Sequence, residues 1–297
     1  MTGVIANRAG QQETGDDELC PIESGPMEGG PMMAAMPAQG RKARVARDFG
    51  RAAAGYDAMA RLQRHVGEQL LLQAMPGAAD HLVDLGCGTG YFLPELSRTF
   101  RPVQLTAVDL SPAMIAQARS TRAVSAQWLV ADAESVPLPS ASVDLLFSSL
   151  MIQWCEDLPA VAREIHRLLR PGAEAVVSTL VSGTLHELRS AWDVVDPGVP
   201  HVNHFWSLAE VKSQLGAAFS DLEIVTEPVT LWYPDVMALL RELKGLGARH
   251  KDGGRTSATS PGRLRALVAA YDDYRDGDQG VPATYQVAYI RLKKQEL

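Results

Sequence analysis

The side chains best placed for chemistry in this chain are carboxylates that end short apolar runs. Residues 81–91 read H-L-V-D-L-G-C-G-T-G-Y: a run carrying Asp84 breaks into Gly86, Gly88 and Gly90, then continues with helical spacing. An acid at the end of a buried strand, followed by glycines at every second position, brings backbone close to a nucleoside. A Cβ at those positions would block both the tight turn and the close approach. Nineteen residues after Gly90, Asp109 ends a second run, where a carboxylate can take both ribose hydroxyls. A dinucleotide loop would want its third glycine at position 91, and that residue is Tyr91. Cys87 has no base placed to activate it and reads as a small packing residue.

These residues need elements to hold them. Strands are expected at 81–85, 104–109, 127–130, 143–147 and 175–180, with helices between them. Ser111-Pro112 supplies a cap and a first-turn proline for one helix, and residues 158–169 form another that stops at Arg170-Pro-Gly. Such alternation implies right-handed crossovers and a parallel sheet covered on both faces. Ahead of the first strand lies a basic helical segment, 41–47, and then a helix over 57–75, capped by Asp57 and ended by Pro76-Gly77. Beyond residue 180, helices are expected at 185–192 and from Ser207 to 219. Two alternating runs, 222–231 and 284–292, flank amphipathic helices at 236–246 and 263–271. The expectation is an α/β fold with a seven-stranded, mostly parallel sheet. An N-terminal helical cover (41–76) and a helical cap (234–280) inserted before the last strand complete it.

The whole-chain composition bounds the partners. The 297 residues are 46% apolar and 21% charged, with no apolar run long enough to span a bilayer. Residues 1–40 hold one base against six acids, so they account for −5 of the net −7, and the body is nearly neutral. That balance argues against a duplex nucleic-acid partner, which needs a basic face. The segment 1–40 lacks the pattern of a signal peptide and reads as a disordered acidic extension, with Met36 as an alternative start. Three widely spaced cysteines form no disulfide or ligand framework, which fits a reducing cytoplasm. His201 and His204 lie three apart without an acid or thiol set to make a metal site.

The form Asp84-x-Gly86-x-Gly88-x-Gly90 resembles the first motif of class I S-adenosylmethionine-dependent methyltransferases. The resemblance implies a Rossmann-like fold with S-adenosylmethionine as cofactor, Asp84, Gly86, Cys87, Gly88 and Gly90 along it, and Asp109 at the ribose. It implies Asp132-Ala133 at the adenine edge, with Leu110, Met114 and Glu134 as further contacts. Ser148 to Gln153, after the fourth strand, would stand beside the methionine moiety and the methyl group. Further segments narrow the likeness: Phe49-Gly-Arg-Ala-Ala-x-x-Tyr56, Leu145-Leu-Phe-Ser-Ser-Leu150 with Gln153-Trp-Cys155, Ser178-Thr179-Leu180, His201-Val-Asn203-x-Phe205, and 240–248. From about Arg41 onward the chain is similar to the malonyl-acyl-carrier-protein O-methyltransferases of biotin synthesis. It departs from them at Ser149, where the family usually has Asn, at Ala173 inside a usual Pro-Gly-Gly, and in the acidic extension.

That family implies methylation of the free carboxylate of a malonyl thioester on acyl carrier protein or coenzyme A, giving an ester that enters pimeloyl synthesis. A carboxylate is ionised at pH 7, so no general base is required, and in-line positioning carries most of the catalysis. A cation should orient the acceptor; Arg51, Arg189, Arg241 and Arg249 are the candidates. Tyr56 and Gln153 are candidate catalytic hydrogen-bonding groups, with His201 and Asn203 beside the substrate. The basic segment 41–51, with Arg241, Lys244, Arg249 and Lys251, is either a solvated face or an attraction for an acidic carrier protein. Trp154 and Trp206 read as core or pocket wall. The rival readings are methylation of another small acid (trans-aconitate-like), a hydroxylase on the same fold, and a non-catalytic adenosine-binding scaffold.

Overall fold

The alternating apolar runs form β1 (His81–Leu85), β2 (Gln104–Asp109), β3 (Gln127–Val130), β4 (Val143–Ser149), β5 (Leu169–Leu180), β6 (Asp221–Tyr233) and β7 (Val281–Lys293). In the computed structural model, which describes residues 38–74, 79–247 and 259–296, they make one sheet in the order β3-β2-β1-β4-β5-β7-β6. The first five are parallel; β7 runs antiparallel between β5 and β6. The order reverses at β1 and β4, which opens a crevice at their carboxyl ends, where ligands bind in such sheets. The extension 1–37 and most of the 251–262 loop lie outside the described residues. Among the described residues no helix is long and apolar enough to cross a membrane.

The period-two alternation of the strands feeds two apolar layers. Leu82, Leu105, Ala107, Leu145, Phe147 and Val176 face one layer with α3 (Arg61–Gln73), α4 (Leu93–Phe100) and α7 (His186–Val195). Val83, Leu85, Val108, Leu146 and Val177 face the other, against α6 (Leu158–Leu168) and α8 (Leu208–Gly216). Residues between β6 and β7 carry α9 (Val236–Gly245) and α10 (Pro261–Asp272). Leu239 of α9 and Leu267 and Tyr271 of α10 join the first layer.

The N-terminal cover departs from expectation. α1 (Ala38–Ala52) is followed by α2 (Tyr56–Met59) and then α3, the helix being broken at Ala60 (φ −82°, ψ 47°). Asp57 caps neither segment. Its carboxylate instead accepts from Thr89 Oγ1 at 2.5 Å and pairs with Arg122, tying the cover to the glycine loop. The stop expected at Arg170-Pro-Gly is also different: α6 passes straight into β5 at Leu169. The register jumps from Val143↔Leu169 to Leu145↔Glu174, so residues 170–173 bulge out of the ladder.

Cover and cap meet. Arg61 pairs with Glu242 of α9 at 3.0 Å, and a Cβ on Gly247 would stand 2.8 Å from the Asp48 carbonyl oxygen. The N-terminal cover and the cap inserted between β6 and β7 therefore meet above the sheet.

Candidate active site

The glycine loop takes the backbone that only glycine adopts without strain. Gly86 has φ +82°, and a Cβ there would lie 2.3 Å from Met151 Cγ; Gly88 has φ +53° with no protein atom within 4 Å of where a Cβ would be. The amides of Gly86 and Cys87 donate to Val108 O at 2.8 and 3.0 Å, which pins the loop to β2. Gly88 N donates to Asp109 Oδ2 at 2.9 Å and Ser111 N to Oδ1 at 2.7 Å. Each carboxylate oxygen thus holds one backbone donor and keeps a lone pair for a diol. Burial raises the pKa of Asp109, and these two amides offset part of that rise.

Above this turn lies a cleft of about 810 Å³ lined by Gly86, Gly88, Asp109, Leu110, Met114, Asp132 and Ala133, with Lys42, Val45 and Phe49 of α1 as its roof. Lys42 Nζ reaches Asp132 Oδ2 at 2.7 Å and Glu134 Oε2 at 2.6 Å. Glu134 is not itself in the lining.

A second cavity, of about 490 Å³, opens on the other side of the loop and holds Asp84, Cys87, Thr89 and Arg64. Asp84 is 3% exposed, and burial together with the charge of Asp109 pushes its pKa up to about 8. Burial first, then the charges of Asp84 and Asp109, hold the Cys87 thiol well above its ordinary value, so it is no nucleophile. A carboxyl and a guanidinium lining one small cavity match the ammonium and carboxylate of an amino-acid zwitterion. Together the cleft and this cavity fit adenosine at one end and a methionine tail at the other.

A third cavity, of about 830 Å³, is walled by Leu62, Leu150, Leu180, Leu185, Leu188, Val202, Phe205, Leu243 and Leu246, with few polar groups. Those are Tyr56, Gln63, Gln153, His201, Asn203, Glu242 and Tyr285. Glu242 is already paired with Arg61 and accepts from Tyr233 Oη at 2.7 Å. Tyr56 lines all three cavities. Phe49 and Trp154, edge to face with centroids 5.0 Å apart, line both the adenosine cleft and the apolar chamber. Burial, with Asp109 and Asp57 nearby, keeps the Tyr56 phenol protonated, so it is a donor and not a base.

Several expected residues sit elsewhere or are otherwise engaged. Ser148 is inside β4, fully buried, its hydroxyl donating to Leu85 O at 2.7 Å, so it is not in the lining of the cleft. β4 runs two residues further than its apolar run suggests, and the cleft is lined instead by Ser149, Leu150 and Met151. Gln153 faces the chamber with both ends of its amide occupied. Nε2 donates to Leu150 O at 2.7 Å, and Oε1 accepts from Thr179 Oγ1 at 3.1 Å. It braces Leu150, which adopts φ +50°. Arg51, with a 74% exposed side chain beside Asp48, is outside the chamber lining, as is the exposed Arg241. Arg189 lines an outer groove with Trp192 and Gly198, while Arg249 and Lys251 lie outside the described residues. His201 and Asn203 do line the chamber. Sequence reasoning overlooked Lys42, whose partners Asp132 and Glu134 are distant in the chain, and Arg64, which shares a cavity with Asp84 only in the folded chain.

A family model described as "Methyltransferase domain" matches residues 83–177, from within β1 to within β5. The chain is 48% identical to a malonyl-[acyl-carrier protein] O-methyltransferase of Serratia marcescens over 84% of this chain and 94% of that one. It is 42% identical to a biotin biosynthesis bifunctional protein BioHC of Cellvibrio japonicus, over 85% of this chain and half of that one. Among solved structures, the YcgJ protein of Bacillus subtilis superposes with a TM-score of 0.57 at 16% identity, over 79% of this chain and all of that one, a likeness of fold. The chain belongs to the malonyl-[acyl-carrier protein] O-methyltransferase family.

Proposed function

We propose that this chain transfers a methyl group from S-adenosylmethionine to the free carboxylate of malonyl carried on acyl carrier protein, the esterification used in biotin synthesis. One observation carries the reading: the cleft over the glycine loop and Asp109 and the apolar chamber share Phe49, Tyr56, Leu150 and Trp154 in their linings. A cofactor held in the first would present its reacting group to an acceptor held in the second.

The cofactor supplies an electrophilic methyl on a sulfonium sulfur. Asp109 holds the ribose diol, Asp132 and Ala133 the adenine edge, and Asp84 and Arg64 the ends of the amino-acid tail. The acceptor is ionised without help, so the chain's task is positioning and exclusion of water. The apolar chamber wall suits both: few waters compete for the carboxylate, and the phenol of Tyr56 is fixed as a donor at the junction.

The exposed Arg47, Arg51, Arg241 and Lys244 lie on α1 and α9, the helices that roof the crevice. They suit an acidic carrier protein, and the reading expects the reaction in the cytoplasm. Incubation with labelled cofactor and malonyl-carrier protein, succinyl-carrier protein, free malonate or trans-aconitate, with products identified by mass, tests the reading. Malonyl methyl ester is the expected product. Label on trans-aconitate alone, or on none, overturns it. Raising salt should raise KM for malonyl-carrier protein and leave malonyl-coenzyme A little changed.

A further inference from the structure

The proposed acceptor is an anion, yet none of the chamber's described lining residues is an arginine or lysine. The one lining side chain able to carry a positive charge is His201. Its side chain is 5% exposed and lies flat on Trp192, with centroids 3.8 Å apart and planes 10° apart. Its Nε2 is 2.9 Å from Asp196 Oδ2, and the other oxygen of Asp196 is 3.8 Å from Nε of Arg263 on α10. Its Nδ1 is buried with no hydrogen-bond partner among the described residues.

We propose that His201, oriented by Asp196, is the cation that holds the acceptor's carboxylate, through Nδ1. The inference rests on the methyl-transfer reading above and names the acceptor-binding group within it. An imidazole with Asp196 on one nitrogen and a substrate carboxylate on the other faces an acceptor at each end. Each of the two ring nitrogens then has an acceptor to face. Asp196 fixes the ring's direction, and the face of Trp192 stabilises its charge. Burying a carboxylate against leucines without such a donor would carry a large desolvation penalty.

The choice of histidine over arginine has a chemical reason. A guanidinium grips both oxygens of a carboxylate in a fork. A single N–H holds one oxygen and leaves the other with its lone pairs for attack. In the reaction that free oxygen forms the new O–C bond as the S–C bond breaks, the electron pair stays on sulfur, and no proton moves. The ester product is neutral and a poorer acceptor, so the His201 contact weakens on turnover and release follows.

The test compares His201→Phe, which keeps a flat ring on Trp192, with His201→Gln and Asp196→Asn in the full-length chain. The readouts are KM and kcat with malonyl-carrier protein, inhibition by acetyl-carrier protein, and S-adenosylhomocysteine affinity as a check on folding. His201→Phe should raise KM for malonyl-carrier protein by roughly 10- to 100-fold, with His201→Gln and Asp196→Asn in between. Inhibition by acetyl-carrier protein, which has the same arm without the carboxylate, should not change. Should the phenylalanine variant fail to bind S-adenosylhomocysteine, the other two carry the same comparison. An unchanged malonyl KM, or equal losses for malonyl and acetyl, overturns the inference while methylation by the unmodified chain still stands. An unmodified chain that methylates no malonyl thioester overturns both.

Discussion

Asp84 gives cofactor binding a pH signature that can be worked out in advance. Its carboxyl is 3% exposed, and burial together with the charge of Asp109 raises its pKa to about 8. Below that pH the empty site holds a neutral acid, which cannot pair with an ammonium until its proton leaves. The ligand's own ammonium, beside a free carboxylate, keeps its charge across this range and loses it only further up. Affinity should follow the ionised fraction of Asp84, about 0.01 at pH 6 and about 0.5 at pH 8. Binding of S-adenosylhomocysteine should therefore be roughly fiftyfold weaker at pH 6 than at pH 8, a difference of about 2.3 kcal/mol. Isothermal titration in two buffers of different ionisation enthalpy reads the protons directly. About one should be released on binding at pH 6, and about half of one at pH 8. Asp84→Asn should bind more weakly, lose the acidic limb and keep the alkaline one. A flat affinity between pH 6 and 8 with no proton release, or an unaltered acidic limb in Asp84→Asn, would refute the reasoning.

Three further perturbations separate the parts of the site. Arg64→Met should weaken S-adenosylhomocysteine by roughly tenfold while leaving 5′-methylthioadenosine, which has no carboxylate, unaffected in a titration. Gln153→Met removes the hydrogen bond to the carbonyl of the strained Leu150 and the one that ties Gln153 to Thr179. It should cost about 1–2 kcal/mol in denaturant melts and slow methyl transfer at saturating substrate in single-turnover assays. Arg61→Met breaks the clasp between cover and cap. With Arg61 partly exposed, the loss should be about 1 kcal/mol or less, seen as a lower melting midpoint with KM for the acceptor raised more than that for the cofactor.

The sheet and the glycine loop were legible because their signals are local. Alternation set the strands, and Asp84, the glycines and Asp109 reach the crevice simply by ending them. The inserted cap was legible for the same reason, as two helical periods between two alternating runs. What stayed hidden depended on contacts between distant residues. Asp57 looks like a helix cap until Thr89 and Arg122 arrive to claim it. The arginines at 51, 189 and 241 have the right charge, but which face a short helix turns inward is decided by packing. Their exposure could not be read from spacing. Ser148 was misjudged by two residues of strand, enough to carry its hydroxyl to Leu85. Gln153 presents an amide at the right place, but the turn beside it uses that amide to brace Leu150.

The position of β7 between β5 and β6 has a consequence for how the enzyme is made. The strands that form the switch-point crevice, β1 to β5, are all synthesised before β6. β6 has no neighbour in the sheet except β7, so it cannot join the sheet until residues 281–293 leave the ribosome. The parallel half of the sheet is thus made before the strands that carry the cap of the apolar chamber can be built onto it. Selectivity is the last property this fold acquires.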